Sequence, residues 1–325
     1  MRTPDEKCLA LDLPRMLTAC NDSALCCCLT KPRSRKFVLS IIPFRSPLAT
    51  AIPPHLLPHL RMAVNQTVEG MFEKTFWGPV TATLDWCEAN YQFSRYIAET
   101  VNTWSNLVAI GLAFYGIRQV QAAKLPSRYI VGFAGVALIG IGSMIFHATL
   151  LYGAQLADEL PMIYVASYFC AILFDTHPGF ARTTKTTSLA TIFFLFNILF
   201  TWSYSIFRNP VYHQMIFGVI VFTNTFRTAY LLKWSEFSSR IPQDTKAAIG
   251  RTFSSGAGIF ALGFVVWNLD NIFCNTITRW KHTLGWPAAF VLEGHSWWHV
   301  FTALGTYLML VGNIYLYDSV FSLLG

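Results

Sequence analysis

The sequence predicts an all-α membrane protein: a seven-transmembrane helix bundle with its N-terminus lumenal and its C-terminus cytosolic. Three observations carry that expectation. Hydrophobic residues make up 54% of the 325 positions and charged residues only 13%, an excess that a soluble core of this length does not need. Apolar windows long enough to cross a bilayer, about 20 residues each, recur seven times. Basic residues gather in the loops of one side of the resulting bundle.

The spans fall at roughly 102–121, 129–151, 156–175, 187–206, 210–232, 253–275 and 295–317. Each is dominated by Leu, Ile, Val, Phe and Ala, and the 27 Phe, 13 Tyr and 10 Trp suit both lipid-facing surface and interfacial belts. The fifth span is the least regular, because it includes His213, Asn224 and Arg227. The loops after spans 1, 3 and 5 carry Arg118, Lys124, Arg128, Arg182, Lys185, Lys233, Arg240, Lys246 and Arg251. The loops after spans 2, 4 and 6 carry Arg208, Arg279 and Lys281. The richer side is cytosolic by the positive-inside rule.

Residues 1–75 differ in kind. They are basic and contain Cys8, Cys20, Cys26, Cys27 and Cys28, with no 20-residue apolar run. They read as a poorly ordered N-terminal extension, and residues 76–325 as the seven-transmembrane domain. The net charge of +7 owes much to that extension. No basic helix interleaved with stacking aromatics accompanies it, so a nucleic-acid partner is not expected. No protein partner is evident either.

Ionisable groups inside membrane spans are functional candidates, because burying them in hydrocarbon is costly. Span 2 ends in G-I-G-S-M-I-F-H, with Ser143 and His147. Span 3 begins A-Q-L-A-D-E-L-P, with Asp158 and Glu159. Span 7 begins H-S-W-W-H, with His295 and His299. The topology puts all of them at one depth, in the lumenal half. Residues four apart share a helical face, so His295 and His299 project together, as do Ser143 and His147. A tight turn at Tyr152–Gly153 returns Asp158 toward His147. Three neutral imidazoles with one open position make a catalytic zinc site. Zinc acidifies its water to a pKa of about 7, Asp158 is the expected general base and acid, and Ser143 a donor to the oxyanion. His177 and His282, in loops, and His55 and His59, in the extension, read as solvated, and His213 as a packing residue.

Before span 1, Asp85, Trp86, Glu88, Asn90 and Glu99 form an acidic, oxygen-rich stretch. On spacing alone it reads as a solvated acidic loop, although such ligands are what calcium prefers. Cys87 lies inside it and Cys274 ends span 6. Both are lumenal, where disulfides persist, and a Cys87–Cys274 bridge is expected. Cys170, within span 3, reads as a buried thiol. Asp270 is placed to accept hydrogen bonds from a neighbouring helix and to orient a zinc-ligating imidazole.

Taken in order, D-W-C-E-A-N-Y from Asp85, E-T-V-N-T-W-S-N from Glu99, G-S-M-I-F-H-A-T from Gly142, L-A-D-E-L-P-M from Leu156, W-N-L-D-N-I-F-C from Trp267 and G-H-S-W-W-H from Gly294 resemble the alkaline ceramidases. The resemblance covers about residues 76–318, and family members usually begin near Met71. It implies a multi-pass hydrolase of the endoplasmic reticulum or Golgi. The implied reaction cleaves ceramide, dihydroceramide or phytoceramide to a sphingoid base and a free fatty acid. It also implies zinc on His147, His295 and His299, with Asp158 and Ser143 catalytic. Calcium is implied on Asp85, Trp86 (through its carbonyl), Glu88, Asn90 and Glu99, and the Cys87–Cys274 disulfide again. The alternative is a seven-span lipid receptor with a structural zinc, like the progestin and adiponectin receptors. A transporter would want dispersed charges and internal repeats, which the sequence lacks.

Overall fold

In the computed structural model, residues 75–175, 177 and 179–321 are described, and nearly all of their regular structure is helical. The expected extension, residues 1–75, lies outside them apart from Thr75. Six helices are long and apolar enough to cross a membrane: Arg128–Thr149, Tyr152–Phe174, Thr184–Phe207, Pro210–Lys233, Gln243–Ile272 and Gly294–Val320. We number the α-helices α1 (Thr100–Ser105), α2 (Leu107–Ala122), α3 (Arg128–Thr149), α4 (Tyr152–Phe174), α5 (Thr184–Phe207), α6 (Pro210–Lys233), α7 (Gln243–Ile272), α8 (Cys274–Leu284) and α9 (Gly294–Phe321).

The stretch expected as span 1 is helical but divided. Its longer piece, α2, has 16 residues, about 24 Å at 1.5 Å per residue, short of the roughly 30 Å hydrocarbon layer. The division falls at Asn106, whose side-chain amide donates to the Asn102 carbonyl at 2.9 Å. Asn102, Thr103 and Asn106 are all buried, so this end of the segment is given over to polar contacts with the bundle interior. Span 6 starts earlier than its hydropathy suggests, at Gln243. It is followed by a separate short helix, α8, which carries Arg279 and Lys281.

Helix α3 ends where Leu150 turns left-handed, with φ 51°. The chain then doubles back through Leu151 into α4, and the turn sits just before the expected Tyr152–Gly153. Leu150 is fully buried, and its carbonyl accepts from the amides of Thr81 and Ala82. The Ala98 and Glu99 amides bond the Ala148 and His147 carbonyls. The segment before α1 is therefore laid against the last turn of α3, over a small core of Ala98, Phe146 and Leu150.

Close helix approach is set by residues without side chains. A Cβ on Gly142 of α3 would stand 2.0 Å from the Ala157 carbonyl of α4. Pro161 lies inside α4 and has no N–H to offer the carbonyl four residues back. Ala157 is that residue, and its carbonyl lies against bare Gly142. Gly256 of α7 and Gly305 of α9 meet reciprocally, each Cβ position 2.7 Å from the other's carbonyl oxygen.

Helices α5 and α6 form the periphery. Phe194, Trp202 and Phe207 on α5, and Met215, Phe222 and Phe226 on α6, are exposed, as lipid-facing residues are. The polar groups that made span 5 irregular all turn inward to α4. His213 Nε2 meets the Glu159 carbonyl, the Asn224 amide donates to the Ala166 carbonyl, and Arg227 donates to the Leu173 carbonyl. At the opposite end of the bundle from His147, Arg128 pairs with Asp175 at 3.6 Å.

The glycine contacts give a paired expectation. Gly256→Ala should lower stability by about 1–3 kcal/mol, as overpacking does. Gly258→Ala, on the same helix with nothing within 4 Å of the added carbon, should be neutral or slightly stabilising, since alanine favours helix. Thermal unfolding of the detergent-solubilised variants checks this, and equal shifts would remove the packing account.

Candidate metal centre

Three imidazoles meet at one end of the bundle. His147 comes from the last turn of α3, and His295 and His299 from the first turns of α9. All three are buried. One ligand atom from each lies within 4.8 Å of the others, and ring centroids are 5.0 Å (His147–His295), 4.8 Å (His147–His299) and 4.7 Å (His295–His299) apart. Among the described residues, no other group of three His, Cys, Asp or Glu converges in this way.

The protein fixes two rings from behind. His147 Nδ1 lies 2.5 Å from Glu99 Oε2, and the ionised carboxylate accepts there, so that in this pairing Nδ1 bears the hydrogen. His299 Nδ1 lies 2.7 Å from Ser105 Oγ, whose own hydrogen goes to the Asn102 carbonyl at 2.9 Å. The serine therefore accepts from the imidazole, and the Asn106 amide, 3.3 Å from the same nitrogen, donates to the Asn102 carbonyl instead. In both rings the Nε2 lone pair is left for the shared centre. His147 Nε2 and His295 Nδ1 are buried nitrogens without a protein partner. Trp86 stacks on His295 with ring centroids 3.9 Å apart and an interplanar angle of 24°.

Such a donor set fits a transition metal. Buried imidazole nitrogens facing one point, two of the rings backed by Glu99 and Ser105 and the third stacked on Trp86, are what a nitrogen-ligated ion requires. Ser143, one turn before His147, is buried, and its neighbour Gly142 lies so close to α4 that an added Cβ would stand 3.1 Å from the Asp158 amide nitrogen. Asp158 is half-buried and sits beside the Ala157 carbonyl that packs on Gly142. The α3–α4 glycine contact thus brings the aspartate against the serine.

The other acidic residues take places that their spacing did not reveal. Asp270 accepts from the backbone amide of Gly294 at 3.1 Å. It caps the helix that carries the two histidines, where an imidazole contact was expected. A Cβ on Gly294 would stand 2.7 Å from that of Asp270, so a glycine is needed there. Glu88 accepts from the Val101 and Asn102 amides at 2.7 and 2.8 Å and so caps α1. Glu99, beyond its bond to His147, keeps Oε1 buried and unpaired. Asp85 and Asn90 are exposed, joined at 3.4 Å. Burial first, then like charge nearby, pushes Glu88 up to about 7 and Glu99 up to about 8. Crowded acids with an unpaired oxygen suit a divalent cation of hard character, although their oxygens converge less tightly than the imidazoles.

Cys87 and Cys274 form a disulfide with 5.4 Å between Cα atoms, tying the acidic segment to α8. Cys170 is a free, buried thiol. His213 is buried on the Glu159 carbonyl, His282 is exposed and His177 half-buried.

Residues that sequence reasoning passed over include Ser105 and Asn106, both against His299 Nδ1. Lys281 and Glu293, a buried ion pair at 2.6 Å, were passed over as well. For the first two a signal existed: Asn102, Ser105 and Asn106 are polar at i, i+3 and i+4, one stripe at the start of an apolar span. For the second pair none did, since the partners belong to separate short elements.

Comparison with known proteins meets this geometry from another direction. The Ceramidase family model matches residues 78–320. The chain is 35% identical over 242 residues to alkaline ceramidase 3 of Mus musculus, covering 74% of this chain and 86% of that protein. It is 34% identical over 248 residues to alkaline ceramidase YPC1 of Saccharomyces cerevisiae, covering 72% and 76%. To the alkaline ceramidase of Arabidopsis thaliana it is 29% identical over 236 residues, covering 72% and 83%. A match over most of a chain whose histidines converge on one buried centre leaves one conclusion: the chain belongs to the alkaline ceramidase family.

Proposed function

We propose that this protein hydrolyses the amide bond of a ceramide (ceramide itself, dihydroceramide or phytoceramide) to a sphingoid base and a free fatty acid. The observation that carries the reading is the meeting of His147, His295 and His299, two of them held from behind by Glu99 and Ser105. Zinc held by those nitrogens would polarise the substrate carbonyl and acidify a water at neutral pH.

The remaining chemistry belongs to the chain's own side chains. In amide hydrolysis a C–O bond forms, the C–N bond breaks, and one proton must travel from water to the departing amine. Asp158 is the group for that transfer, accepting the proton at its carboxylate and returning it to nitrogen. Ser143, beside Asp158 at the close α3–α4 contact, can donate to the carbonyl oxygen as negative charge develops there. The buried setting strengthens each of these interactions by excluding water. Ceramide is a two-chain lipid, and the apolar bundle brings these groups to it within the membrane.

Calcium, on this reading, is held by Asp85, the Trp86 carbonyl, Glu88, Asn90 and Glu99, and is structural and regulatory. Glu99 would then serve both ions, one oxygen toward the acidic segment and the other on His147 Nδ1. The topology we propose is seven-span, counting 100–122 as one kinked crossing, with the metal centre in the lumenal half and the C-terminus in the cytosol. The proposed location is the endoplasmic reticulum or Golgi. The receptor alternative predicts ligand binding without product. Release of fatty acid from a fluorescent ceramide by the zinc-loaded protein, lost with a chelator and regained with zinc, decides between them.

Two sets of variants test the assignments. His299→Ala should lose bound zinc and turnover together, while Asp158→Asn should keep zinc and lose about 10²–10⁴ in kcat. Metal analysis beside fatty acid release reads both, and wild-type turnover in Asp158→Asn would end its assigned role. Glu99→Gln should weaken zinc binding by about 10–100-fold, as loss of a ligand's backing group does. It should also blunt the response to added calcium. Unaltered zinc affinity and calcium response would remove Glu99 from both sites.

A further inference from the structure

Lys281 is one charged side chain that the mechanism above does not use. It lies in α8 and is 5% exposed, which for a lysine requires a partner. Its ammonium donates to Glu293 Oε2 at 2.6 Å and to the Cys87 carbonyl at 3.2 Å. Its charge also acts on Glu88, Glu99 and Asp270. One cation therefore stands among four carboxylates drawn from three parts of the chain: the segment before α1, the end of α7 and the residue before α9.

What those bonds join is informative. Cys87 precedes Glu88, the cap of α1, and belongs to the segment that ends in Glu99, the residue behind His147. Glu293 precedes α9 directly. Its carbonyl accepts from the Ser296 amide at 3.2 Å and the Ser296 hydroxyl at 2.7 Å, which shapes the turn from which His295 points inward. Lys281 thus bridges the segment backing one imidazole and the entrance to the helix supplying the other two. Its three tetrahedral donors suit two acceptors from different elements better than a planar guanidinium does.

We propose that Lys281 is a positioning residue for the metal centre: by bonding the Cys87 carbonyl and the Glu293 carboxylate together, it sets the spacing of His147 against His295 and His299. The proposal rests on the zinc assignment above, and its deciding readout, zinc affinity, does not depend on turnover.

The full chain, purified in lipid nanodiscs, is titrated with zinc against a competing chelator. Lys281→Met should bind zinc at least about tenfold more weakly and release fatty acid with a lower kcat and a KM within about twofold of wild type. Lys281→Arg should recover part of the loss. Lys281→Met strands the Glu293 carboxylate, so Lys281→Met/Glu293→Gln separates two explanations. A positioning role predicts that the double variant regains thermal stability without regaining zinc affinity, and recovery of both together overturns it. Glu293→Gln, which keeps shape and an acceptor, should fold even if Lys281→Met does not, and should weaken zinc in the same direction. Wild-type zinc affinity in Glu293→Gln and in whichever Lys281 variant folds also overturns the proposal. Wild-type protein that binds zinc yet releases no fatty acid would sink the hydrolase reading instead and leave the affinity comparison intact.

Discussion

The bond between Glu99 and His147 is the interaction on which the site depends. A carboxylate and an imidazole, both fully buried, are expensive to bring out of water unless each satisfies the other. Their pairing settles three matters at once. It puts the hydrogen on Nδ1, it turns Nε2 toward the shared centre, and it anchors the segment before α1 to the last turn of α3. The backbone repeats the tie, since the Glu99 amide donates to the His147 carbonyl at 3.0 Å. Side chain and main chain of one residue thus hold side chain and main chain of another, and the ring has little freedom left.

Around that pair the polar groups form a continuous set. Glu88 caps α1, α1 carries Ser105 to His299, Asp270 caps α9, and α9 carries His295 and His299. Glu88 and Asp270, which do not face the centre, each hold the start of a helix that does. In a low-dielectric surround such arrangements are worth more than in water, and a missing member costs more. The apolar part of the bundle has a different task. Bare positions at Gly142, Gly256 and Gly305 let backbones approach, and this proximity puts Asp158 beside Ser143 and α9 against α7.

Much of this was legible in the sequence, for physical reasons. Long apolar windows mark helices because hydrocarbon tolerates little else, so six of the expected spans correspond to long helices. Histidines four apart on one face, and a third at matching depth, pointed to a common centre. Span 1 was only partly legible. Hydropathy averages over a window and does not register that Asn102 and Asn106 spend their side chains on the interior. The roles of Glu88, Glu99 and Asp270 were obscured by a similar blindness. Composition marks an acid as a potential ligand, but whether its oxygens meet a cation, an amide or an imidazole depends on contacts made across the chain. Lys281 was unreadable because its partners, Cys87 and Glu293, are 194 and 12 residues away with no periodic pattern to link them.

The order in which the ligands occur along the chain has a consequence for biosynthesis. His147 and its backing carboxylate emerge from the ribosome early, but His295 and His299 belong to the last long helix. Until that helix has been inserted, the nascent bundle holds a single oriented imidazole, too few to capture an ion firmly. An ion held by all three imidazoles would therefore be loaded only as a final maturation step. A partly translated copy would be inert toward the lipids around the translocon, and completion of the polypeptide is what arms it.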